Sequence, residues 1–596
     1  MKETLRSSAW LLRMSWQQNR AKTAAALILI LGNALSAPLM ALALKWLTNA
    51  AVAGDTVTAE IAGFAVAGCV IGVLTLGHFA HIAYFELSEM NTLAAEERLI
   101  ALANGSAGIE HQERAEYADR LAVLEQEIQQ IQNGFYAVLY QSSLTVAIGL
   151  TGILLALVNP LLLLLPLVAL PPLVTGRRAQ LIIDASREET AEDTRRAMHL
   201  FRLATGAGPA KELRVFRLQQ EIRHRHAELW ELTTRRLWRA QIKATAYQAA
   251  GQLIFAGGYV AGVLIVVNDA ISGHRSVGDV VLAITLAAQV NQQVAAAVAL
   301  LHDLQRIARA YSRFEWLEKY VAEREPTGAD RPVPERFTDS IRFEDVTFHY
   351  PGTDRVVLAG VNLRLPAGST VAVVGENGAG KSTLVKLLCR FYEPTSGMIR
   401  ADGTDLARIP LDRWRERIAT GFQDFARFEF VARQTVGVGD LPLVDDQPAV
   451  EAALERAHAG DVVGVGPLER GLSTQLGKSY TDGTELSGGQ WQKLALGRAM
   501  MRELPLVLIL DEPTSALDAE AEHALFERYP EGARRVGQAT GGITVLVSHR
   551  FSTVRMADQI VVVADGRVVE AGPHAQLMRN RGLYAELYEL QASAYE

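Results

Sequence analysis

The chain has 596 residues, enough for two or three domains, and its 59 Lys and Arg against 66 Asp and Glu give a formal net charge of -7. That balance, with a pI near 6.1, argues against a nucleic-acid binder, whose phosphate contacts call for a basic stripe or patch. The two cysteines, Cys69 in an apolar run and Cys389 in a predicted helix, have flanks suited to different environments, which argues against a structural disulfide.

A mean hydropathy of +0.10 is high for a chain with 21% charged residues, and it averages two unlike halves. Residues 23–300 hold long runs of Ala, Leu, Val and Ile, whereas residues 341–590 alternate short strands with polar helices. Ala-Leu-Ser-Ala at 34–37 resembles a leader cleavage site, but the apolar run continues to Leu47, long enough for an uncleaved span. A span needs roughly 20 apolar residues. Six such segments are predicted, at about 23–46, 61–84, 136–158, 160–176, 247–267 and 277–300, with Asn159-Pro160 as the turn between the third and fourth.

Five Lys or Arg precede residue 23 and fifteen lie within 177–246, while residues 51–60 carry none. By the positive-inside rule both termini and the two long loops, 85–135 and 177–246, are cytoplasmic. Both loops keep helical periodicity, so they extend the membrane helices into the cytosol, with an interruption at Gly206-Ala-Gly-Pro209. The tips of these hairpins, near 110–117 and 211–217, are placed to touch a cytosolic domain. Gln289, Gln292 and Gln293 share one helical face, as do Gln248 and Gln252. They line a substrate path or bond helix to helix, and the sequence leaves both open. His78 and His81 fit a structural role better.

Residues 321–340, with three prolines and many charges, read as a linker. The first strand of the following domain is predicted at 341–350. An apolar strand at 370–374 then runs into Gly375-Glu376-Asn377-Gly378-Ala379-Gly380-Lys381-Ser382-Thr383, and a helix pattern follows. This is a P-loop: glycines let backbone N–H groups curl around phosphate, Lys381 reaches the β- and γ-phosphates, and Ser382 can ligate Mg2+. Leu506-Val-Leu-Ile-Leu-Asp511-Glu512 is a buried strand ending in two carboxylates, which alternation points in different directions. Asp511 would hold Mg2+ and Glu512 would orient or activate the attacking water. Residues 560–564, Asp565-Gly566 and 567–570 read as a hairpin with a type I′ turn.

Leu486-Ser487-Gly488-Gly489-Gln490 precedes that acidic strand and is similar to the signature motif of ABC ATPases. Other elements of that family follow in its order: Tyr350 resembles the aromatic that stacks on adenine, Gln423 the Q-loop glutamine, residues 515–518 with Asp518 the D-loop, and His549 the switch histidine. The resemblance implies that Gln423 senses the γ-phosphate and Mg2+, and that His549 contacts the γ-phosphate. It also implies that Ser487 and Gly489 cap nucleotide held by a second subunit's P-loop. Six spans followed by one cassette is the half-transporter exporter layout. The expected architecture is therefore an all-α six-helix transmembrane domain (1–320), a linker (321–340) and an α/β P-loop NTPase domain of the ABC type (341–596).

One P-loop and one signature imply a homodimer with two composite ATP sites, or a pairing with a homologous half-transporter. ATP hydrolysis would drive export by alternating access. The segment Thr474-Gln-Leu-Gly-Lys-Ser-Tyr-Thr-Asp-Gly-Thr-Glu485 is longer than the usual exporter form. With Gly489-Gln-Trp-Gln-Lys-Leu-Ala495 and Phe422-Gln-Asp-Phe-Ala-Arg427, it looks like the cassettes of lanthipeptide and related peptide exporters. A modified peptide is accordingly the expected substrate. A multidrug or lipid exporter is the alternative, and a non-transport ABC ATPase is disfavoured by the spans. Only about 22 residues precede the first span, which leaves no room for an N-terminal peptidase domain. Ala- and Arg-rich usage points to a high-GC bacterium, hence to a bacterial cell membrane with the cassette in the cytoplasm.

Overall fold

The computed structural model describes residues 2–128, 131–324, 328–464, 468, 470–513 and 532–595. The chain divides into two compact units, Met1–Asn104 with Arg120–Lys319 and Gly105–Asp119 with Tyr320–Glu596.

The helices in chain order are α1 (Lys2–Gln18), α2 (Arg20–Ala53), α3 (Thr56–Asn104), α4 (Ala115–Ile128) and α5 (Ile131–Val158). A 3-10 turn (Pro160–Leu164) precedes α6 (Leu165–Val168), α7 (Leu170–Glu189), α8 (Ala191–Thr205), α9 (Ala210–Val215), α10 (Gln219–Ile271) and α11 (Val277–Ala322). Six helical stretches among them are long and apolar enough to cross a membrane. With 49 residues in α3 and 53 in α10, a rise of about 1.5 Å per residue makes these helices roughly 70–80 Å long, over twice the hydrocarbon thickness. Each must therefore continue well beyond the bilayer, and the charged part of its sequence supplies that extension.

Local chemistry sets the helix ends. Asn19 caps α2 by accepting from the Lys22 amide, and Gly54 ends it at φ 71°. The Asn159 side chain accepts from the Leu161 amide while Pro160 takes the first position of the next turn. The fourth apolar segment, expected over 160–176, lies within a stretch long and apolar enough to cross a membrane, Pro160–Glu189, but that stretch is irregular at its start. Prolines 166, 171 and 172 cannot donate to a helical ladder, and the segment breaks at Ala169 between α6 and α7.

Two of the span glutamines bond helix to helix: Gln289 Nε2 donates to the Ala37 carbonyl beside Pro38, and Gln293 Nε2 to Thr151 Oγ1, each at 3.0 Å. Gln248, Gln252 and Gln292 are exposed. His78 and His81 bond one turn away on their own helix, to the Leu74 carbonyl and the Tyr84 hydroxyl. Lys45 and Asp279 pair at 2.7 Å, which removes the cost of two isolated charges in apolar surroundings.

The second unit contains β1 (Ser340–His349), β2 (Val356–Pro366), β3 (Thr370–Val374), β4 (Ser396–Ala401), β5 (Thr404–Asp405), β6 (Ile418–Gly421), β7 (Val507–Asp511), β8 (Ile543–Val547), β9 (Gln559–Ala564) and β10 (Arg567–Gly572). One sheet has the order β2-β1-β4-β5 and is antiparallel; the other has the order β10-β9-β3-β8-β7-β6. In the larger sheet β9, β3, β8, β7 and β6 run parallel. Strands covered on both faces must be apolar throughout, and β7 and β8 are buried at every residue. The carboxyl ends of β3, β8 and β7 lie side by side, so the loops leaving them converge on one edge. Asp565 and Gly566 both have positive φ, 48° and 71°, as the turn between β9 and β10 requires.

α12 (Lys381–Leu388) packs its Leu384 and Leu387 into a core shared with Phe343, Val373 and Ile509. Trp414 lies in the same core at 0% exposure and donates from Nε1 to the Leu388 carbonyl at 2.9 Å. Trp414→Ala should destabilise the cassette by about 3–5 kcal/mol, through lost burial and an orphaned carbonyl, and lower its unfolding temperature. Trp414→Phe should cost clearly less; equal thermal shifts for the two variants would contradict this account of the core.

Candidate functional site

β3 ends at Val374 and the chain turns at once into the glycine-rich loop. Gly375 has φ 151°, and a Cβ there would stand 2.1 Å from the Val563 carbonyl oxygen of the neighbouring strand. Gly380 caps α12 at φ 109°, where a Cβ would meet the Leu358 side chain at 2.7 Å. Only glycine fits both places, and the resulting curl leaves Glu376, Asn377 and Gly378 exposed while Ala379 and Gly380 are buried. Lys381, 9% exposed, lays its ammonium across the loop and donates to the carbonyls of Gly375 and Glu376, both at 2.9 Å. Burial depresses the Lys381 ammonium below its ordinary pKa, against the opposing pull of Glu512 and Asp511. Ser382 is exposed on the first turn of α12 and Thr383 is buried, accepting or donating a 3.0 Å bond with the Tyr350 hydroxyl.

Asp511 ends β7 at 8% exposure. Burial, and then the neighbouring Glu512 charge, push its carboxyl up to about 6, with Lys381 pulling the other way. Strand alternation does not separate the two acids as the sequence suggests. Glu512 leaves the strand in a left-handed bend at φ 48° while its amide still donates to the Val547 carbonyl at 2.9 Å. That conformation costs about 1 kcal/mol or more for a residue with a Cβ, and it aims the carboxylate at two partners from different loops. Gln423 Nε2 donates to Glu512 Oε2 at 2.8 Å, and His549 Nδ1 lies 3.1 Å from Glu512 Oε1. Three residues picked from separate motifs thus meet at one carboxylate.

Ser487 caps the helix Gly488–Ala499: its hydroxyl accepts from the Gln490 amide while the Gln490 side chain accepts from the Ser487 amide. Ser487 and Gly488 are exposed, Gly489 and Gln490 half-buried, and none of these side chains hydrogen-bonds to the P-loop among the described residues. Asp518 and the rest of 515–518 lie outside the described residues.

Two features escaped sequence reasoning. Gln492, 5% exposed, donates to the Glu512 carbonyl at 3.3 Å and so ties the signature helix to the acidic bend; a glutamine on the buried face of an amphipathic helix was its only signal. The second is a cluster around Tyr350. Its ring meets Phe348 and Tyr392 edge-on at 5.0 and 5.3 Å, and the Lys386 ammonium stands 5.2 Å from its centroid. Nothing in the spacing of these residues announces that contact.

The oxygen donors of Ser382, Asp511 and Gln423 are hard ligands of the kind Mg2+ takes alongside phosphate and water. A buried carboxyl whose proton affinity is raised by like charge suits a divalent cation beside it, so the residues fit that ion.

Residues 358–515 match a family model described as ABC transporter. Among curated proteins the chain is similar to the ATP-dependent lipid A-core flippase of Escherichia coli (strain K12), 39% identical over 259 residues. The same figures hold for the protein of that name from Shigella flexneri. The match covers 44% of this chain and 42% of the relative, less than half its length. Among solved structures, a bacterial Atm1-family ABC exporter with ATP bound superposes with a TM-score of 0.76 at 24% identity, over 96% of this chain and 98% of that one. The chain therefore has the fold of an ABC exporter, with six apolar helical stretches followed by an α/β cassette of the ABC ATPase type.

Proposed function

We propose that the chain is one half of an ATP-driven exporter for hydrophobic or lipidic compounds, working as a pair of copies in a bacterial cell membrane with the cassettes in the cytoplasm. On this reading residues 1–320 form the membrane part, 321–340 the linker and 341–596 the cassette. The observation that carries it is the meeting of Gln423 and His549 at the Glu512 carboxylate, beside a P-loop whose Lys381 is buried.

Tyr350 stacks on adenine, and the P-loop amides with Lys381 hold the phosphates. Ser382, Asp511 and Gln423 would hold Mg2+, which when bound would supply charge neutralisation for phosphoryl transfer. Glu512 accepts a proton from the attacking water, and its two partners, one on each oxygen, hold the carboxylate in place. His549 and Gln423, freed from or held to Glu512, report whether a γ-phosphate is present. The exposed Ser487 and half-buried Gly489, bonded to nothing on their own P-loop among the described residues, serve the partner copy's nucleotide. Closure of two cassettes on ATP is a population shift, and hydrolysis reverses it.

A hydrophobic or lipidic substrate is favoured over a modified peptide on two grounds. The curated relatives at 39% identity are lipid A-core flippases. The six apolar segments hold one lysine and one aspartate, Lys45 and Asp279, and these neutralise each other. Their walls offer amides, hydroxyls and hydrocarbon, which suit amphiphiles.

Glu512→Gln should keep nucleotide binding while lowering turnover about a hundredfold or more, the range expected for loss of a general base. Near-normal steady-state hydrolysis by that variant would remove Glu512 from its role. A protonated Asp511 cannot ligate a cation, and its carboxyl titrates near 6. The apparent Mg2+ affinity read from hydrolysis should accordingly fall as pH drops below that point, by about tenfold per unit. An onset nearer pH 4 would show that burial does not raise the Asp511 carboxyl. In proteoliposomes, lipid-like amphiphiles and lipophilic dyes should stimulate hydrolysis and appear on the opposite side of the bilayer. Stimulation by modified peptides alone would restore the peptide reading.

A further inference from the structure

Glu113 lies in the segment between α3 and α4 that belongs to the cassette's own compact unit. Its Oε1 accepts from the Lys386 ammonium at 2.6 Å, and its Oε2 accepts from the Tyr392 hydroxyl. Lys386 in turn stands over the Tyr350 ring at 5.2 Å and the Tyr392 ring at 5.8 Å, inside the range in which a cation is held by a π face. Tyr392 meets Tyr350 edge to face at 5.3 Å and 89°. One carboxylate thus holds two of the three groups that pack against Tyr350, the third being Phe348.

The arrangement is electrostatically closed. Burial would depress the Lys386 ammonium, but the Glu113 carboxylate and the nearby Tyr350 hold it above its ordinary value. Burial and then the bond to Glu113 raise the Tyr392 hydroxyl, so it stays protonated and keeps donating. The neighbouring Glu110 is occupied elsewhere, accepting from Arg324 Nε at 2.8 Å and from the Tyr320 hydroxyl at 3.3 Å. The segment is also anchored without Glu113: Arg415 Nη2 donates to the Ala107 carbonyl at 2.6 Å and the Ile109 amide donates to the Phe391 carbonyl at 3.4 Å. Removing the Glu113 charge therefore loosens the Tyr350 surroundings while leaving the segment attached.

We propose that Glu113 is a positioning residue for the nucleobase: it fixes Lys386 and Tyr392 against the Tyr350 ring and so sets how well that ring stacks on adenine. The inference rests on Tyr350 being the adenine platform. A purine gains more from stacking than a pyrimidine does, so the effect is selective for the base and leaves the phosphate chemistry alone.

The test compares steady-state hydrolysis of ATP and UTP by the full chain in lipid nanodiscs, for the wild type, Glu113→Gln, Lys386→Gln, Tyr350→Ala and the Glu113→Gln/Tyr350→Ala double variant. Glu113→Gln should raise KM for ATP about three- to tenfold, as loss of one aromatic or cation–π contact does, change KM for UTP less, and leave kcat nearly unaltered. Lys386→Gln should reproduce that pattern from the other side of the ion pair. Because Glu113 acts through Tyr350, the double variant should be no worse than Tyr350→Ala. If Tyr350→Ala raises KM for ATP but Glu113→Gln does not, the inference fails and the platform stands. A fall in kcat that is equal for both nucleotides would make Glu113 a mechanical contact and also overturn the inference. If Tyr350→Ala itself leaves KM for ATP unchanged, the platform reading falls first.

Discussion

Asp511 closes a strand whose five residues are all buried, with Glu512 directly after it, and burial together with the charge next to it sets the character of that site. Both cannot remain charged and close without help. The chain separates their tasks with one backbone turn. Asp511 stays in the strand, where its raised proton affinity marks a place short of positive charge, and Glu512 bends out to a glutamine and a histidine. Lys381 answers the first acid from below: buried, and so reluctant to stay charged, it is sustained by the same two carboxylates. The glycines of the loop follow from this arrangement, since the lysine must begin a helix directly behind a strand that leaves no room for a Cβ at Gly375.

A different constraint rules the apolar helices. In hydrocarbon a polar group needs a partner within the protein, and the span residues meet that need in three ways. Asn159 spends its side chain on a turn, Gln289 and Gln293 reach neighbouring helices, and Lys45 and Asp279 cancel. Gln248, Gln252 and Gln292 remain exposed and uncommitted to such bonds.

The residues that could be read from sequence were those whose chemistry forces a local pattern. Gly375 and Gly380 are dictated by backbone geometry within a strand-loop-helix, and the six apolar segments by bilayer thickness. Asp511 was legible because it closes an apolar strand in a chain that also carries a P-loop, whose bound phosphates call for an acidic metal site. The direction of Glu512 was not legible: alternation applies within a strand, and a left-handed residue just beyond it escapes the rule. The fractured fourth segment was visible only in hindsight, since Pro166, Pro171 and Pro172 sit in a run whose hydropathy alone reads as one span. The contacts around Tyr350 join residues 113, 350, 386 and 392, and no periodicity within one segment can encode a meeting of three.

That last set also shows why a boundary drawn by composition misses part of the cassette. Residues 105–119 belong in sequence to a loop between apolar helices, yet they cluster with the residues that begin at Tyr320. Backbone groups secure most of this attachment: Arg415 binds the carbonyls of Ala107 and Arg390 at once, and Phe391 takes the amide of Ile109. Contacts of that kind tolerate almost any side chain, which is why the sequence could place the tip near 110–117 beside a cytosolic domain without naming its partners. Glu110 and Glu113 are held otherwise, each by a cation and a phenol, and of the two it is Glu113 whose partners pack against Tyr350. A position held by side-chain chemistry amid contacts held by backbone is where a specific function is most economically added, and here the neighbouring ring is Tyr350.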